Sequence, residues 1–154
     1  MINRNISVRA VIYKNKKIFV VRQKSLKTVT GVLDYYNMPG GKLEVNEGLK
    51  ECLEREIIEE LGVKPEIGDL LFIQQFSEVS KGECVEYLQL FFNITNPDDF
   101  DNIDLTQTTH GSSEIVEAIF VNPCKEKILP KFIQTIDLDK TIAEGKTSIY
   151  NYFS

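Results

Sequence analysis

The sequence predicts an α/β domain built on a mixed sheet, and three observations carry that reading. Apolar runs with strand-like alternation lie on both sides of one strongly helical segment. That segment ends in a glutamate cluster cut off by Gly62. A second helix is expected late in the chain, from Pro130 to about Ala143, with Phe132, Ile133 and Ile136 facing inward.

Taken in order, Ile6–Tyr13 reads as a strand with Val8, Ala10 and Ile12 on one face. A polar turn at Asn15 and a second apolar run at Ile18–Val21 complete a hairpin. Gly31–Met38 is a short extended segment leading to Pro39-Gly40-Gly41, whose composition demands a special backbone turn. The helix should begin at Asn46 or Glu47 and run to Leu61, with Leu49, Leu53, Ile57 and Leu61 as its buried stripe. Asp69–Phe76, Cys84–Ile94 and Glu114–Val121 read as further strands, and the middle one carries apolar groups on both faces. Asn96–Ser113 is polar, lacks periodicity and reads as a long loop of the kind that often serves a site.

Composition narrows the class. A chain of 154 residues, 42% hydrophobic and 27% charged, is expected to form a single globular domain over residues 1–154. No apolar run approaches the roughly 20 residues that span a bilayer, and Met1-Ile2-Asn3-Arg4 leads into strand rather than a secretory signal. The formal net charge of −5 argues against a nucleic-acid surface, though not against a phosphorylated small molecule. Cys52, Cys84 and Cys124 have no metal-type spacing and cannot all pair, which points to a reducing cytoplasm, with Cys52 as a small buried hydrophobe.

The chemistry concentrates in the helix. Glu56, Glu59 and Glu60 lie three and four residues apart, so they share a flank and repel one another. A divalent cation bound by oxygen ligands is the usual way to offset that repulsion. At about 100° per residue, Glu60 stands roughly 40° from Glu56, which places both on the shoulder between core and solvent.

The stretch from Gly41 to Val63 resembles the Nudix box at every position: Gly41, five residues, Glu47, seven residues, then Arg55, Glu56, Ile57, Glu59, Glu60, Gly62 and Val63. The resemblance implies an α/β/α sandwich with a mixed central sheet. It also implies a Mg²⁺- or Mn²⁺-dependent pyrophosphohydrolase acting on a nucleoside diphosphate derivative, such as ADP-ribose, another nucleotide sugar or a (d)NTP. Glu56 and Glu60 are then direct metal ligands, and Glu59 is a ligand or the residue that orients the attacking water. The backbone carbonyl of Gly40 is a further ligand, while Arg55 and Glu47 hold the catalytic carboxylates in place. A general base from outside the box falls to Glu114 or Glu117, with Glu114 better placed after the long loop. The competing reading is a non-catalytic Nudix fold that binds or senses a nucleotide; the intact set of glutamates counts against it.

Substrate contacts are less legible. Arg22 reads either as a phosphate ligand or as a strand-end surface charge, and Gly41 as backbone close to the substrate. Tyr35, Tyr36 and Phe76 offer faces for a stacked base, or belong to the core. His110, the one histidine, reads as a solvated loop residue. The expected partner is a small nucleotide, with no nucleic acid and no membrane, and strand edges leave room for a homodimer.

Overall fold

The computed structural model describes residues 3–152. Met1 and Ile2, at which the absence of a secretory signal was read, lie outside that span.

The chain begins with β1 (Asn3–Val11), β2 (Tyr13–Lys14) and β3 (Lys17–Gln23). The hairpin turn rests on Asn15 and Lys16, both at positive φ (50° and 63°), the pair of left-handed residues that a tight two-residue hairpin requires. After a loop come β4 (Tyr36–Asn37), β5 (Gly40–Lys42) and the helix α1 (Leu49–Leu61). The long hairpin β6 (Ile67–Ser80) and β7 (Glu83–Ile94) follows. The remainder comprises α2 (Gly111–Glu114), β8 (Ile115–Val121), β9 (Ile128–Leu129), α3 (Leu138–Glu144) and β10 (Ser148–Tyr152).

The mixed sheet is divided in two. One sheet runs β10-β6-β7-β1-β5, with β1 parallel to β7 and β10 parallel to β6. The other runs β2-β3-β4-β9, with β8 on β3. Two apolar clusters hold them. Val8 and Ala10 of β1 and Ile12 just after it pack with Phe19 and Val21 of β3 and with Cys52, Leu53 and Ile57 of α1. On the opposite side Val11, Ile18 and Val20 meet Phe72, Phe91, Phe132 and Leu138. Alternate residues of β1 and β3 therefore feed different clusters, the two-residue period of a strand buried on both faces. Helical segments cover each outer side, which is the α/β sandwich.

Several elements differ from the sequence expectation for identifiable reasons. The α1 helix starts two or three residues later than Asn46 or Glu47, because Asn46 sits at positive φ (62°) and Gly48 takes the capping position. Glu51 then accepts the Gly48 amide at 3.3 Å, serving as the cap that glycine has no side chain to make. The late helix is broken in two: a 3-10 turn at Lys131–Gln134, then α3 capped by the Asp137 side chain on the Lys140 amide. The polar loop Asn96–Ser113 holds 3-10 turns at Pro97–Phe100 and Leu105–Gln107 and the short α2. Only Tyr36–Asn37 of the segment Gly31–Met38 pairs as strand. The edge strand β10 was not anticipated at all; Tyr150 is its half-buried residue, packed on Phe132 and Phe72.

Leu53 is fully buried between α1 and β1. Leu53→Ala is expected to destabilise the fold by about 2–5 kcal/mol. A denaturant titration checks this; an unchanged midpoint would mean that α1 does not pack on this face.

Candidate active site

The turn before α1 is set by β1. Gly40 pairs with Arg9 across the antiparallel β1–β5 ladder, and the Ala10 amide donates to the Pro39 carbonyl at 2.8 Å. Gly40 adopts φ +146°, and a Cβ there would strike the Val8 carbonyl and the Arg9 backbone. Gly41 has no such torsional demand, but its bare Cα faces the Glu56 carboxyl group, which fills the space a side chain would take. The first glycine builds the turn and the second makes room for an acid.

Arg55 organises the acids along α1. Its Nε donates to Glu47 at 2.6 Å and its Nη2 to the other Glu47 oxygen at 3.0 Å, a two-pronged pair. Nη1 reaches Glu56 at 3.0 Å and Glu59 at 3.5 Å. The hydrogen bond to Glu47, helped by Glu56 and opposed by burial, keeps the guanidinium firmly cationic, and the same bond pulls the Glu47 carboxyl down to about 2. Cys52 lies beneath, its thiol pushed up to about 12 mainly by desolvation, so it is an inert packing group.

Glu60 is the exception. The sequence placed it on a shoulder beside the core, yet it is 3% exposed, and one of its carboxylate oxygens, Oε2, has no hydrogen-bond partner. The helix turns it inward, under Gly40 and toward Arg9 and Glu56. Desolvation first and the Glu56 charge second push its pKa up to about 8, opposed by Arg9 and by a backbone hydrogen bond at Gly40. Glu56 is also raised, mostly by burial, with Arg55 opposing. These acids stand toward the C-terminal, negative end of the helix dipole, and no basic residue in the last turn of α1 offsets it.

Among the described residues, no three His, Cys, Asp or Glu side chains are drawn together closely enough to clasp an ion as they stand, and Glu56 and Glu59 are paired with Arg55. The donor set nevertheless fits a hard divalent cation. The half-buried Glu56 carboxylate lies near the buried Glu60 carboxylate, one oxygen of which is unpartnered, and glycine backbone allows close approach.

The remaining sequence candidates separate into two groups. Glu114, at the end of α2, is near enough to raise the pKa of both Glu56 and Glu60. The loop that carries it docks on α1 through the His110 amide, which donates to the Glu59 carbonyl at 2.9 Å, and His110 Nδ1 lies 3.2 Å from a Glu59 carboxylate oxygen. Arg22, Tyr36 and Glu117 form a separate group. The Arg22 guanidinium lies 4.0 Å from the centre of the Tyr36 ring and donates to the Leu33 carbonyl at 2.9 Å. The Tyr36 hydroxyl donates to Glu117 at 2.9 Å. Tyr36 is 6% exposed, so the expected stacking face is already covered, and Arg22 braces the loop after β3 rather than standing free for a phosphate.

Two residues missed in the sequence join the site to a cavity. A pocket of about 390 Å³ is lined by Arg9, Tyr35, Asn37, Gln74, Phe76 and Gln89, among others. Arg9 donates to the carbonyls of Met38 at 3.2 Å and Gly40 at 3.3 Å, so it belongs both to the pocket and to the glycine turn. Its signal was a lone charge between Val8 and Ala10 in an apolar strand. Gln74 had no such signal.

A sandwich whose glycine turn feeds an arginine-clamped row of glutamates is the arrangement of a Nudix domain. The chain belongs to that family: residues 3–132 match the NUDIX domain. A 57-residue stretch is 42% identical to the 8-oxo-dGTP diphosphatase of Buchnera aphidicola subsp. Schizaphis graminum, covering 37% of this chain and 42% of that protein. The chain thus spans less than half of that relative. Among solved structures, a NUDIX hydrolase from Nitrosomonas europaea superposes with a TM-score of 0.64 at 21% identity, covering 94% of this chain and 91% of that one. The MutT protein from Methanosarcina mazei Go1 gives 0.59 at 21% identity, with coverage of 94% and 96%. At such identities the likeness concerns the fold. No helix among the described residues is long and apolar enough to cross a membrane.

Proposed function

We propose that this chain is a divalent-metal-dependent pyrophosphohydrolase that cleaves the diphosphate linkage of a free nucleotide derivative. The observation that carries the reading is the buried, unpartnered Glu60 carboxylate oxygen beside Glu56. A fold does not retain such a group without a use for it, since an unsatisfied buried acceptor destabilises by about 1–3 kcal/mol.

Glu56, Glu60 and Glu59, with the Gly40 carbonyl, would hold Mg²⁺ or Mn²⁺. When bound, the cation supplies charge neutralisation at the diphosphate and a more acidic water. The protein's own groups do the rest. Arg55, anchored on Glu47, keeps Glu56 and Glu59 aimed at the cluster and limits their mutual repulsion. Glu114, exposed and close enough to Glu56 and Glu60 to act on both, takes a proton from the attacking water as general base. The Arg9-lined pocket receives the nucleoside, and its guanidinium faces the phosphate end. The name of the Buchnera relative specifies an oxidised deoxynucleoside triphosphate, and a (d)NTP and a nucleotide sugar such as ADP-ribose both fall within the proposal. Free cysteines at positions 52, 84 and 124 suit a cytoplasmic setting.

The test is product release from a panel of ADP-ribose, nucleotide sugars, common and oxidised (d)NTPs and dinucleoside polyphosphates, with Mg²⁺, with Mn²⁺ and with chelator. Metal-dependent cleavage of one class is expected. Silence across the panel with nucleotide binding intact would transfer the reading to a nucleotide sensor.

A further inference from the structure

We propose that Lys24 is a positioning residue for the hydrolysis: it ties the turn that carries Glu114 to the end of β3 and so holds that carboxylate in place beside the glutamates of α1. The inference rests on the reading of Glu114 as general base and deepens it.

A general base works only within hydrogen-bond reach of the attacking water, directly or through one further water. Glu114 is exposed, so little packing restrains its side chain, and its place is set by its backbone. It also follows the long polar loop Asn96–Ser113, and loops drift more than the elements they join unless their ends are anchored.

The anchors come from two directions. On the α1 side, the His110 amide donates to the Glu59 carbonyl at 2.9 Å. The bare Cα of Gly111 sits against the Glu60 carbonyl and the Thr108 hydroxyl, where a Cβ would strike both. On the other side Lys24 is bonded twice. Its amide donates to the Glu114 carbonyl at 2.9 Å, and its ammonium donates to the Ser112 carbonyl at 2.7 Å. A lysine suits the second bond, because carbonyls at the end of a helical turn carry partial negative charge. Lys24 is itself restrained: it bridges to Val32, and the Ser25 amide donates to the Gly31 carbonyl at 2.9 Å, closing the loop after β3 on itself.

Strand register explains why a side chain is needed there. The β3–β8 ladder runs in step from Ile18 opposite Val121 to Arg22 opposite Glu117. It then slips, so that Gln23 faces Ile115 and Val116 is the extra residue. Such a bulge re-aims what lies beyond it and disrupts regular pairing. Glu114 comes next, and the two Lys24 bonds take over where the ladder stops. Without the ammonium the turn keeps one bond to β3 and can pivot about it.

The experiment is steady-state kinetics with Mg²⁺ on the nucleotide of the panel above that the wild type cleaves fastest. The variants are Lys24→Met, Lys24→Arg, Glu114→Gln, and Lys24→Met combined with Glu114→Gln. Lys24 is exposed, so Lys24→Met should melt within about 2 °C of the wild type. It is expected to lower kcat about tenfold with KM within about twofold, while Lys24→Arg, which keeps a donor, stays within about threefold of the wild type. Glu114→Gln should lower kcat about 100-fold or more. Adding Lys24→Met to it should change kcat less than about twofold, since no base remains to be placed. A merely structural role would instead multiply the two losses. Multiplied losses, an unchanged kcat in Lys24→Met, or an equal loss in Lys24→Arg overturns the proposal and leaves the hydrolase reading standing. Normal turnover in Glu114→Gln overturns it too, by removing the base. A wild type silent across the panel overturns both.

Discussion

In chelator at pH 9, Glu60→Gln melts on the order of 10 °C above the wild type, and with Mg²⁺ its turnover is lower by orders of magnitude. The reason is that Glu60 opposes folding when ionised without a cation. Its folded pKa is about 8, against an ordinary value of 4.5. Between those limits the native protein retains a proton that the unfolded chain releases. Stability of the metal-free protein therefore falls as pH rises from about 4.5 to 8, and changes no further through this group above 8. The loss is on the order of 3–5 kcal/mol, a sizeable part of a domain's stability. Glutamine cannot ionise, so the variant lacks this part of the pH dependence. Melting curves from pH 5 to 9, with chelator and with Mg²⁺, test the point. The wild type should gain most from Mg²⁺ at high pH, where the carboxylate is ionised, while the variant gains little. A variant whose curve parallels the wild type would show that Glu60 is not the group carrying this proton.

The second large effect separates adjacent glycines. Gly40→Ala is expected to lose more than about 3 kcal/mol, because φ +146° is closed to an L side chain and the new methyl meets the backbone of Val8 and Arg9. Neither obstacle can move without opening the β1–β5 ladder. Gly41→Ala meets only the end of the Glu56 side chain, which can swing away. That variant should fold with a change within about 1 kcal/mol and lose about 100-fold or more in turnover, since a small misplacement of a catalytic group is enough. Thermal melts and initial rates on the two proteins check the contrast. Normal turnover in Gly41→Ala would remove Glu56 from the site; normal stability in Gly40→Ala would mean that the turn is not as tight as its geometry requires.

What was readable along the chain is what depends on near neighbours. The buried stripe of α1 follows from a 3.6-residue period, and Leu53, Ile57 and Leu61 are at most 2% exposed. The stop at Gly62 follows from its left-handed φ of 72°, and the role of Arg55 from acids one, four and eight residues away. Where the reading departed, distant contacts decided. Tyr35 and Tyr36 are equivalent as sequence, yet opposite exits from the chain send one to the cavity and the other under Arg22. The late helix has adequate helical spacing, but the Asp137 cap restarts it after the 3-10 turn. The edge strand β10 exists because β6 offers it a parallel partner.

The sequence by itself therefore determined the family, the helix and the identity of the acids, because a local motif encodes local geometry. It did not determine which acid is buried, since Glu56 and Glu60 differ only in what β1 and the glycine turn place over them. Nor did it reveal the substrate pocket. Arg9, Tyr35, Gln74 and Gln89 are far apart in the chain and meet only through the register of β1, β6 and β7 in one sheet and the segment before β4, and burial and cavity shape are properties of that meeting.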